Sequence, residues 1–124
     1  MNKDSCYAFY GSLRRGMYNH QRFQPHLQYL FTENLAGFNL YALERYPIAV
    51  KSNLISDAIM VEVFKILNCD TEAAIHQLEM NAGYYYDEVV IRGFHVGIYL
   101  FEHPRQFPLV ECGDWVRYVK KTED

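Results

Sequence analysis

The stretch that decides the fold lies near the N-terminus and reads Cys6-Tyr7-Ala8-Phe9-Tyr10-Gly11-Ser12-Leu13-Arg14-Arg15-Gly16. Its first part is a short apolar run of the kind that forms a buried strand. A Gly-Ser pair and a basic segment that ends in glycine follow at once, and such residues favour a sharp turn. Gly11 permits a positive φ or a close ligand, and successive free N–H groups in such a turn bind anions. The pattern predicts a strand that ends in either an anion-binding loop or an ordinary surface turn.

Length and composition indicate one globular domain over residues 1–124. The chain has 124 residues, of which 50% are hydrophobic, and a chain of this size buries roughly two-thirds of its unfolded surface. A formal net charge of −3 argues against nucleic acid as a partner, because phosphate binding needs a basic patch. No apolar stretch approaches the ~20 residues that span a bilayer, and residues 1–5 contain no signal-peptide apolar region. We therefore expect neither a membrane protein nor a nucleic-acid-binding protein.

The cysteines and histidines suggest neither disulfides nor a metal site. Three cysteines are an odd number, and they lie far apart in the sequence at Cys6, Cys69 and Cys112. Free thiols of this kind are typical of a reducing compartment, so the predicted location is the cytoplasm. The five histidines are scattered along the chain without ligand spacing, and no metal is expected.

The pattern of apolar residues predicts an α+β fold with more strand than helix. Eleven tyrosines and eight phenylalanines favour pleated structure, and most of them are expected to be core residues. Helices are predicted from Asn19 through Leu30, interrupted or restarted at Pro25, and from Asp70 or Thr71 to about Met80. Strands are predicted over 6–10, 35–41 with a break at Gly37, 48–50, 57–66, 84–91, 94–101 and 114–119.

Glu79 is the strongest candidate for proton transfer. It lies four residues after Ile75 on the predicted helix, and therefore on the same core-facing side as Ile75 and Leu78. A carboxylate turned toward the interior is costly unless it is hydrogen-bonded or protonated, which makes Glu79 a candidate for a raised pKa and for general acid/base catalysis. The alternative is that the helix frays at this point and that Glu79 reaches water. Glu62, on a strand with two apolar faces, is the competing carboxylate, and a structural hydrogen-bonding role is favoured for it.

Four motifs in order resemble the γ-glutamylcyclotransferase-like family, and in particular a small bacterial-type, γ-glutamylamine cyclotransferase-like member. They are Tyr10–Gly16; Ala36–Tyr41 followed by Tyr46–Val50; Leu78-Glu79 followed by Gly83-Tyr84 and Val89–Ile91; and Cys112–Trp115. Together they cover nearly the whole chain. The resemblance implies a small mixed α/β barrel with one pocket, strand-rich and with two or three short helices.

The resemblance also implies an activity. The α-amine of a γ-glutamyl amine or amide attacks its own γ-carbonyl, which releases 5-oxoproline and a free amine without a cofactor. Glu79 then corresponds to the catalytic general acid/base, and the loop residues Tyr10, Gly11, Ser12 and Leu13 bind the glutamyl head. Tyr84, and less directly Tyr46, form the pocket wall. The partner is a small-molecule substrate, and the expected assembly is a monomer or homodimer.

The chain departs from the family pattern at two positions. Val61 stands where members commonly have glycine before the strand glutamate, and Met80 stands where many have glycine after the catalytic glutamate. Met80 is expected to narrow the space beside the carboxylate and to favour γ-glutamylamines over glutathione-sized donors. Arg14 and Arg15 either attract a substrate carboxylate or, as favoured, are solvated loop charges.

Two other classes of function remain open from the sequence. The same fold can be a non-catalytic module that binds a small ligand, although loss of the acid/base glutamate would be its mark and Glu79 is present. A hydrolase with Ser12 as nucleophile lacks support, because Gly-Ser-Leu is not a nucleophile elbow and no histidine partner is indicated.

Overall fold

In the described part of the chain, apolar and β-branched runs form seven strands, and three short helices and one 3₁₀ turn lie between or after them. The structure is a computed structural model that describes residues 2–123, so Met1 and Asp124 of the predicted domain lie outside the described residues. In chain order the elements are β1 (Cys6–Phe9), α1 (Tyr18–Phe23), a 3₁₀ turn (Gln24–His26), β2 (Leu27–Ala36), β3 (Phe38–Leu43), β4 (Tyr46–Lys51), β5 (Ala58–Ile66), α2 (Cys69–Asn81), β6 (Tyr85–Ile91), β7 (Phe94–Leu100) and α3 (Trp115–Glu123).

Strand β1 lies at the centre of a five-stranded sheet with the order β2-β5-β1-β7-β6. It is antiparallel to β5, with Phe9 opposite Glu62, and parallel to β7, with Tyr7 opposite Gly97. All four residues of β1 are buried, as expected of a strand with a neighbour on each side. The loop that follows Phe9 therefore starts from the middle of the sheet.

A second, two-stranded sheet of β3 and β4 packs against the curled main sheet. Leu40 and Ala49 of the small sheet share one buried cluster with Val61 and Ile98 of the main sheet. An ion pair of 2.5 Å joins Lys51 of β4 to Asp87 of β6. This arrangement is the expected strand-rich α+β fold, and its three short helices agree with the two or three that the resemblance implies.

A second buried cluster lies between the main sheet and helices α1 and α2. It contains mostly aromatic residues: Tyr7, Phe9, Phe23, Phe64 and Tyr99, together with Leu13, Ile66 and Ile75. The Tyr7 ring stacks on those of Phe9 and Tyr99, with ring centroids 6.1 Å apart in both pairs. Of the eleven tyrosines and eight phenylalanines, seven are buried and five more pack against the two buried clusters while partly exposed, so fewer of them are core residues than expected.

The helix predicted from Asn19 through Leu30 is wrong in its second half. Helix α1 ends at Phe23, Pro25 lies in the 3₁₀ turn, and Leu27 and Leu30 belong to β2. Proline lacks the N–H that the helix needs and clashes with the preceding turn. The chain beyond it pairs with β5 instead: Leu27 lies opposite Ile66, and the pairing continues to Ala36 with a register shift at Leu30.

The extended segment predicted at Asp114–Val119 is also wrong, because these residues begin α3. The Asp114 carboxylate accepts a hydrogen bond from the backbone N–H of Arg117 at 3.2 Å, which is the geometry of a helix N-cap. Trp115 is only 2% exposed, so the aromatic and β-branched residues that favour a strand locally serve here to anchor a helix.

The other boundaries follow the sequence closely. Gly37 separates β2 from β3, and Arg92-Gly93 turns between β6 and β7. The cap of α2 is Asn68 rather than Asp70 or Thr71, since its side chain accepts a hydrogen bond from the Thr71 N–H at 2.7 Å. Strand β4 begins at Tyr46, two residues earlier than predicted. None of the helices in residues 2–123 has the length and apolar character required to cross a bilayer.

Candidate active site

One pocket of about 340 Å³ opens where β1 ends, between the small sheet and helix α2. It brings together every residue that the sequence analysis assigns to the site: Tyr10, Gly11, Ser12, Leu13, Glu79 and Tyr84. Tyr46 also lines it. The pocket further contains Asn19, Arg22, Pro47 and Tyr99, which the sequence analysis did not assign to it.

The loop after β1 is held in place by the start of helix α1. The Ser12 carbonyl accepts hydrogen bonds from the N–H groups of Asn19 and His20, both at 3.0 Å. The Asn19 side chain donates to Ser12 Oγ at 2.9 Å. Within residues 2–123, the backbone N–H groups of Gly11, Ser12 and Leu13 donate to no acceptor. The loop therefore has three unused donors, which is what an anion or an oxyanion requires.

Gly11 is required for packing rather than for an unusual backbone angle. Its φ is not among the positive values of the chain, so the expectation of a positive φ here is wrong. A Cβ at this position would lie 2.6 Å from Cγ and 2.9 Å from Cδ of Pro47. Glycine thus lets the loop approach β4 closely, and this contact closes one side of the pocket.

Glu79 lies near the end of α2, and its side chain is partly buried in the pocket. Burial raises the pKa of its carboxyl group to about 7, because the charged form loses its hydration. No hydrogen bond to this carboxylate is recorded among the described residues. The helix continues past Glu79 to Asn81, so the alternative of a frayed helix end is not supported.

Tyrosines surround the Glu79 carboxylate and are themselves fixed by backbone contacts. Tyr84 OH donates to the Pro47 carbonyl at 2.6 Å. Tyr10 OH donates to the Tyr99 carbonyl and accepts from the Ala49 N–H at 3.3 Å. Burial, and then the proximity of Glu79, raise the pKa of Tyr84 above its ordinary value. These hydroxyls are therefore neutral hydrogen-bonding groups at physiological pH.

Arg14 and Arg15 turn away from the pocket, so neither expectation for them holds fully. Arg14 is buried and binds Glu62 through Nε at 2.9 Å and Asp114 through Nη1 at 2.7 Å. Arg15 donates to Glu62 from its backbone N–H at 2.9 Å and from Nε at 3.0 Å. Its guanidinium also lies 3.7 Å from the centroid of the Tyr29 ring. Both arginines therefore attach the loop to the five-stranded sheet through Glu62 of β5.

Glu62 lies outside the pocket and in an environment opposite to that of Glu79. It is 4% exposed, and burial alone would raise its pKa, but the hydrogen bonds from Arg15 and Arg14 outweigh burial and lower it. A carboxylate held ionised between two arginines is a poor proton shuttle at neutral pH. The geometry agrees with the structural hydrogen-bonding role favoured for Glu62.

Met80 does not narrow the pocket, contrary to expectation. Its side chain is 43% exposed and is not part of the pocket lining. The reason is helical geometry, since the residue after Glu79 is rotated by about 100° around the helix axis. Met80 therefore supplies no argument about substrate size.

Asn19 and Pro47 gave some signal in the sequence, whereas Arg22 gave none. Asn19 begins the predicted first helix, although the structure starts α1 at Tyr18, and Pro47 belongs to the segment Tyr46–Val50 that resembles a family motif. Arg22 is one arginine on a short polar helix, with no pattern that separates it from a solvated charge. Its place at the pocket follows only from the way α1 packs beside the loop.

Glu79 supplies the one carboxyl group among the described pocket residues, and the loop after β1 supplies unused backbone donors. A small α+β domain with such a site is suited to moving protons on an amide-like substrate. The family comparison agrees with this class. A model of the family described as gamma-glutamyl cyclotransferase, AIG2-like, matches residues 7–117. The chain therefore belongs to this family and is a protein of the general cyclotransferase kind, which confirms the resemblance drawn from its motifs.

Solved structures share the fold over nearly the whole chain. An uncharacterised protein of Pyrococcus horikoshii is 24% identical with a TM-score of 0.80, and the match covers 95% of each chain. The ytfP protein of Escherichia coli is 27% identical with a TM-score of 0.72 over 92% of this chain and 98% of that one. An AIG2-like protein of Mus musculus is 16% identical with a TM-score of 0.62 over 86% of each chain. A search of curated proteins gives no match.

Proposed function

We propose that the protein releases 5-oxoproline and a free amine from a γ-glutamyl amine or amide, with Glu79 as general acid/base. The observation that carries this proposal is one pocket that holds both the partly buried Glu79 carboxyl group and the donor loop Tyr10–Leu13. Neither the carboxyl group nor the donor loop would support this reaction without the other. A general base needs a carboxyl group near the substrate amine, and an acyl transfer needs donors for the oxyanion.

The reaction is an intramolecular transfer whose atoms balance without another reactant. The substrate α-amine nitrogen forms a bond to the γ-carbonyl carbon, and Glu79 accepts the proton that this nitrogen loses. The carbonyl oxygen becomes an oxyanion, which the N–H groups of Gly11, Ser12 and Leu13 stabilise. The bond to the leaving nitrogen then breaks as Glu79 returns the proton to it. One carboxyl group serves both steps, and closure of a five-membered ring supplies proximity.

The pKa of Glu79 fits this double role. A value of about 7 means that the group is partly ionised at neutral pH, so it can accept a proton in the first step and donate it in the second. An ordinary solvated glutamate is a much weaker base. The contrast supports Glu79 rather than Glu62 as the acid/base group.

The contacts of Ser12 argue against its use as a nucleophile. Its Oγ accepts a hydrogen bond from the side-chain amide of Asn19 at 2.9 Å. An amide nitrogen cannot accept the hydroxyl proton, so no base is in place to activate the oxygen. The His20 ring binds the Leu13 carbonyl through Nδ1 at 3.0 Å, and no hydrogen bond joins this ring to Ser12 Oγ among the described residues.

The proposal includes no cofactor, a small-molecule substrate, and a protein that acts as a monomer or homodimer in the cytoplasm. The three free thiols support a reducing compartment, since Cys69 and Cys112 are exposed and would be prone to oxidation elsewhere.

The test is to incubate the purified protein with a panel of γ-glutamyl amines, amides and peptides and to measure 5-oxoproline. Release of 5-oxoproline and of one equivalent of free amine is the expected result. Binding of the same compounds without turnover, measured by calorimetry, would instead favour a ligand-binding module. Release of free glutamate would mean that water, rather than the substrate amine, attacks the carbonyl.

A further inference from the structure

We propose that Arg22 is a specificity-determining residue that selects substrates whose leaving amine carries a carboxylate. This inference rests on the proposed function and names the chemical class of its leaving group. Such a substrate is a γ-glutamyl group on the nitrogen of an amino acid or short peptide, rather than on a neutral or cationic alkylamine.

Arg22 is an exposed cation at the pocket with no ionic partner of its own. Its guanidinium makes no salt bridge in residues 2–123, whereas Arg14, Arg15 and Arg92 all bind carboxylates. It lies 5.0 Å from the centroid of the neighbouring Phe23 ring, a contact that limits its orientations. The positive charge is therefore available to a ligand.

Arg22 and Glu79 are the charged side chains among the pocket residues, and they stand in different surroundings. Glu79 is partly buried near the tyrosines, whereas Arg22 is exposed on α1 beside Tyr18, which is 83% exposed. The other lining residues are apolar, aromatic or neutral and polar. The inner pocket thus favours a neutral or proton-exchanging group, and its outer rim favours an anion.

The positions of Glu79, the donor loop and Arg22 in the pocket indicate which part of the substrate each of them contacts. The γ-carbonyl must lie within reach of both Glu79 and the loop donors, which places the glutamyl head in the inner part of the pocket. The leaving group extends from the same carbonyl toward the rim. A carboxylate on that group meets Arg22, and guanidinium groups bind carboxylates through charge-assisted, often bidentate hydrogen bonds.

The test compares γ-glutamylalanine with γ-glutamylalaninamide, which are alike in size and differ in the charge of the leaving group. Because the two leaving amines also differ in basicity, each variant is compared with wild type on the same compound. Arg22→Gln should lower kcat/KM for γ-glutamylalanine by about fivefold, mainly through KM, the upper end of what an exposed ion pair contributes. It should change kcat/KM for γ-glutamylalaninamide by no more than about twofold, within the effect of a typical neutral surface substitution.

Three controls test whether the difference between the two substrates depends on the charge of Arg22. Arg22→Lys keeps the charge and should retain most of the activity on γ-glutamylalanine. Arg117→Gln removes an exposed arginine of α3 outside the pocket and should leave both substrates unchanged. Raising the salt concentration should weaken the preference of the wild type, because exposed charges are screened.

The outcomes separate this inference from the proposed function. Equal losses on both compounds in Arg22→Gln would mean that Arg22 binds the glutamyl head, and no loss on either would mean that it binds neither part. Each result would overturn the assignment while leaving the cyclotransferase reaction intact. If the wild type released 5-oxoproline from neither compound nor from any γ-glutamylamine, both proposals would fall.

Discussion

Two glutamates of this chain illustrate how local surroundings decide the chemistry of a residue. Glu79 is partly buried without an ion pair among the described residues, and burial raises its pKa to about 7. Glu62 is more completely buried, but the hydrogen bonds from Arg14 and Arg15 lower its pKa. The same side chain is thus partly protonated near neutral pH at one position and held ionised at the other.

Glu79→Gln should reduce turnover by about 10²- to 10⁴-fold, the usual contribution of a general acid–base group. Glutamine keeps the shape and hydrogen-bonding reach of the side chain but cannot accept the proton. Substrate binding, measured by calorimetry, should largely survive. Normal turnover of this variant would show that Glu79 is not the base, and the assay should include a thermal melt to exclude unfolding.

Glu79→Gln should also change how stability depends on pH. The folded-state pKa of Glu79, about 7, lies above the ordinary value of 4.5, so the folded protein binds this proton more tightly than the unfolded chain. The contribution of Glu79 to the free energy of unfolding should therefore fall as pH rises from about 4.5 to about 7. The variant lacks this component, so its stability relative to wild type should increase over that window in urea titrations. A difference that stays constant with pH would contradict the raised pKa.

Glu62→Gln should lower stability while leaving the rate within about tenfold, or ~1.4 kcal/mol in the barrier. The variant keeps Arg14 buried but removes one of its two carboxylate partners, which should cost about 1–3 kcal/mol. The stability advantage of the wild type over this variant should be lost as pH falls through the lowered pKa of Glu62, because a protonated Glu62, like glutamine, carries no charge. If this variant is inactive although folded, and Glu79→Gln is active, the roles are reversed.

At the scale of elements, the loop between β1 and α1 depends on contacts from both sides. Gly11 packs against Pro47 of β4, and the Ser12 carbonyl is held by the first turn of α1. The arginines that follow bind Glu62 of β5. Two strands distant in sequence, β4 and β5, and the helix that follows the loop therefore hold the backbone donors in one arrangement. Such preorganisation is what oxyanion stabilisation requires.

Gly11→Ala should lower both stability and kcat, since the new Cβ would overlap the Pro47 ring and displace the loop. Overpacking of this kind costs about 1–3 kcal/mol. Pro47→Ala removes the ring atoms concerned, so the double variant should lose less stability than the sum of the two single losses. Strictly additive losses in a denaturant-based double-mutant cycle would show that the close approach of the two residues is unimportant.

At the scale of the whole molecule, residues from both sheets and from α3 share a buried cluster. Trp115 of α3, 2% exposed, packs in the same cluster as Leu40 of the small sheet and Ile59 of the main sheet. Trp115 also stacks on Tyr118, with ring centroids 5.2 Å apart. Removal of the small sheet, the main sheet or α3 from this cluster would therefore expose the buried faces of the other two to water.

This shared core predicts a single cooperative unfolding transition. Trp115 is the one tryptophan of the chain, so its fluorescence reports on the packing of α3, while far-UV circular dichroism reports on the sheets. The two signals should change together in urea, as for a two-state domain. Separate midpoints would show that α3 or the small sheet unfolds independently, and would contradict one domain over residues 1–124.

Sequence patterns predicted the elements whose local signals agree with their surroundings. The run Ala58–Ile66 is long and β-branched, and it forms a strand; the Arg92-Gly93 turn joins β6 to β7 as expected. The two wrong assignments, beyond Phe23 and at Trp115, concern residues whose local preference was overruled. Their apolar side chains suit either helix or strand, and the choice depended on which partner was available to bury them.

The sequence by itself determined the family and the strand-rich fold. It also predicted the set Tyr10–Leu13, Glu79 and Tyr84, which the structure brings into one pocket, because these residues lie in local motifs or on a helical period. Only the tertiary structure decided that Arg14 and Arg15 bind Glu62, that Met80 points away from the pocket, and that Arg22 reaches its rim. The physical reason is that the charge and size of a side chain follow from its residue type alone. Its burial, its partners and hence its proton affinity depend on residues that only folding brings beside it.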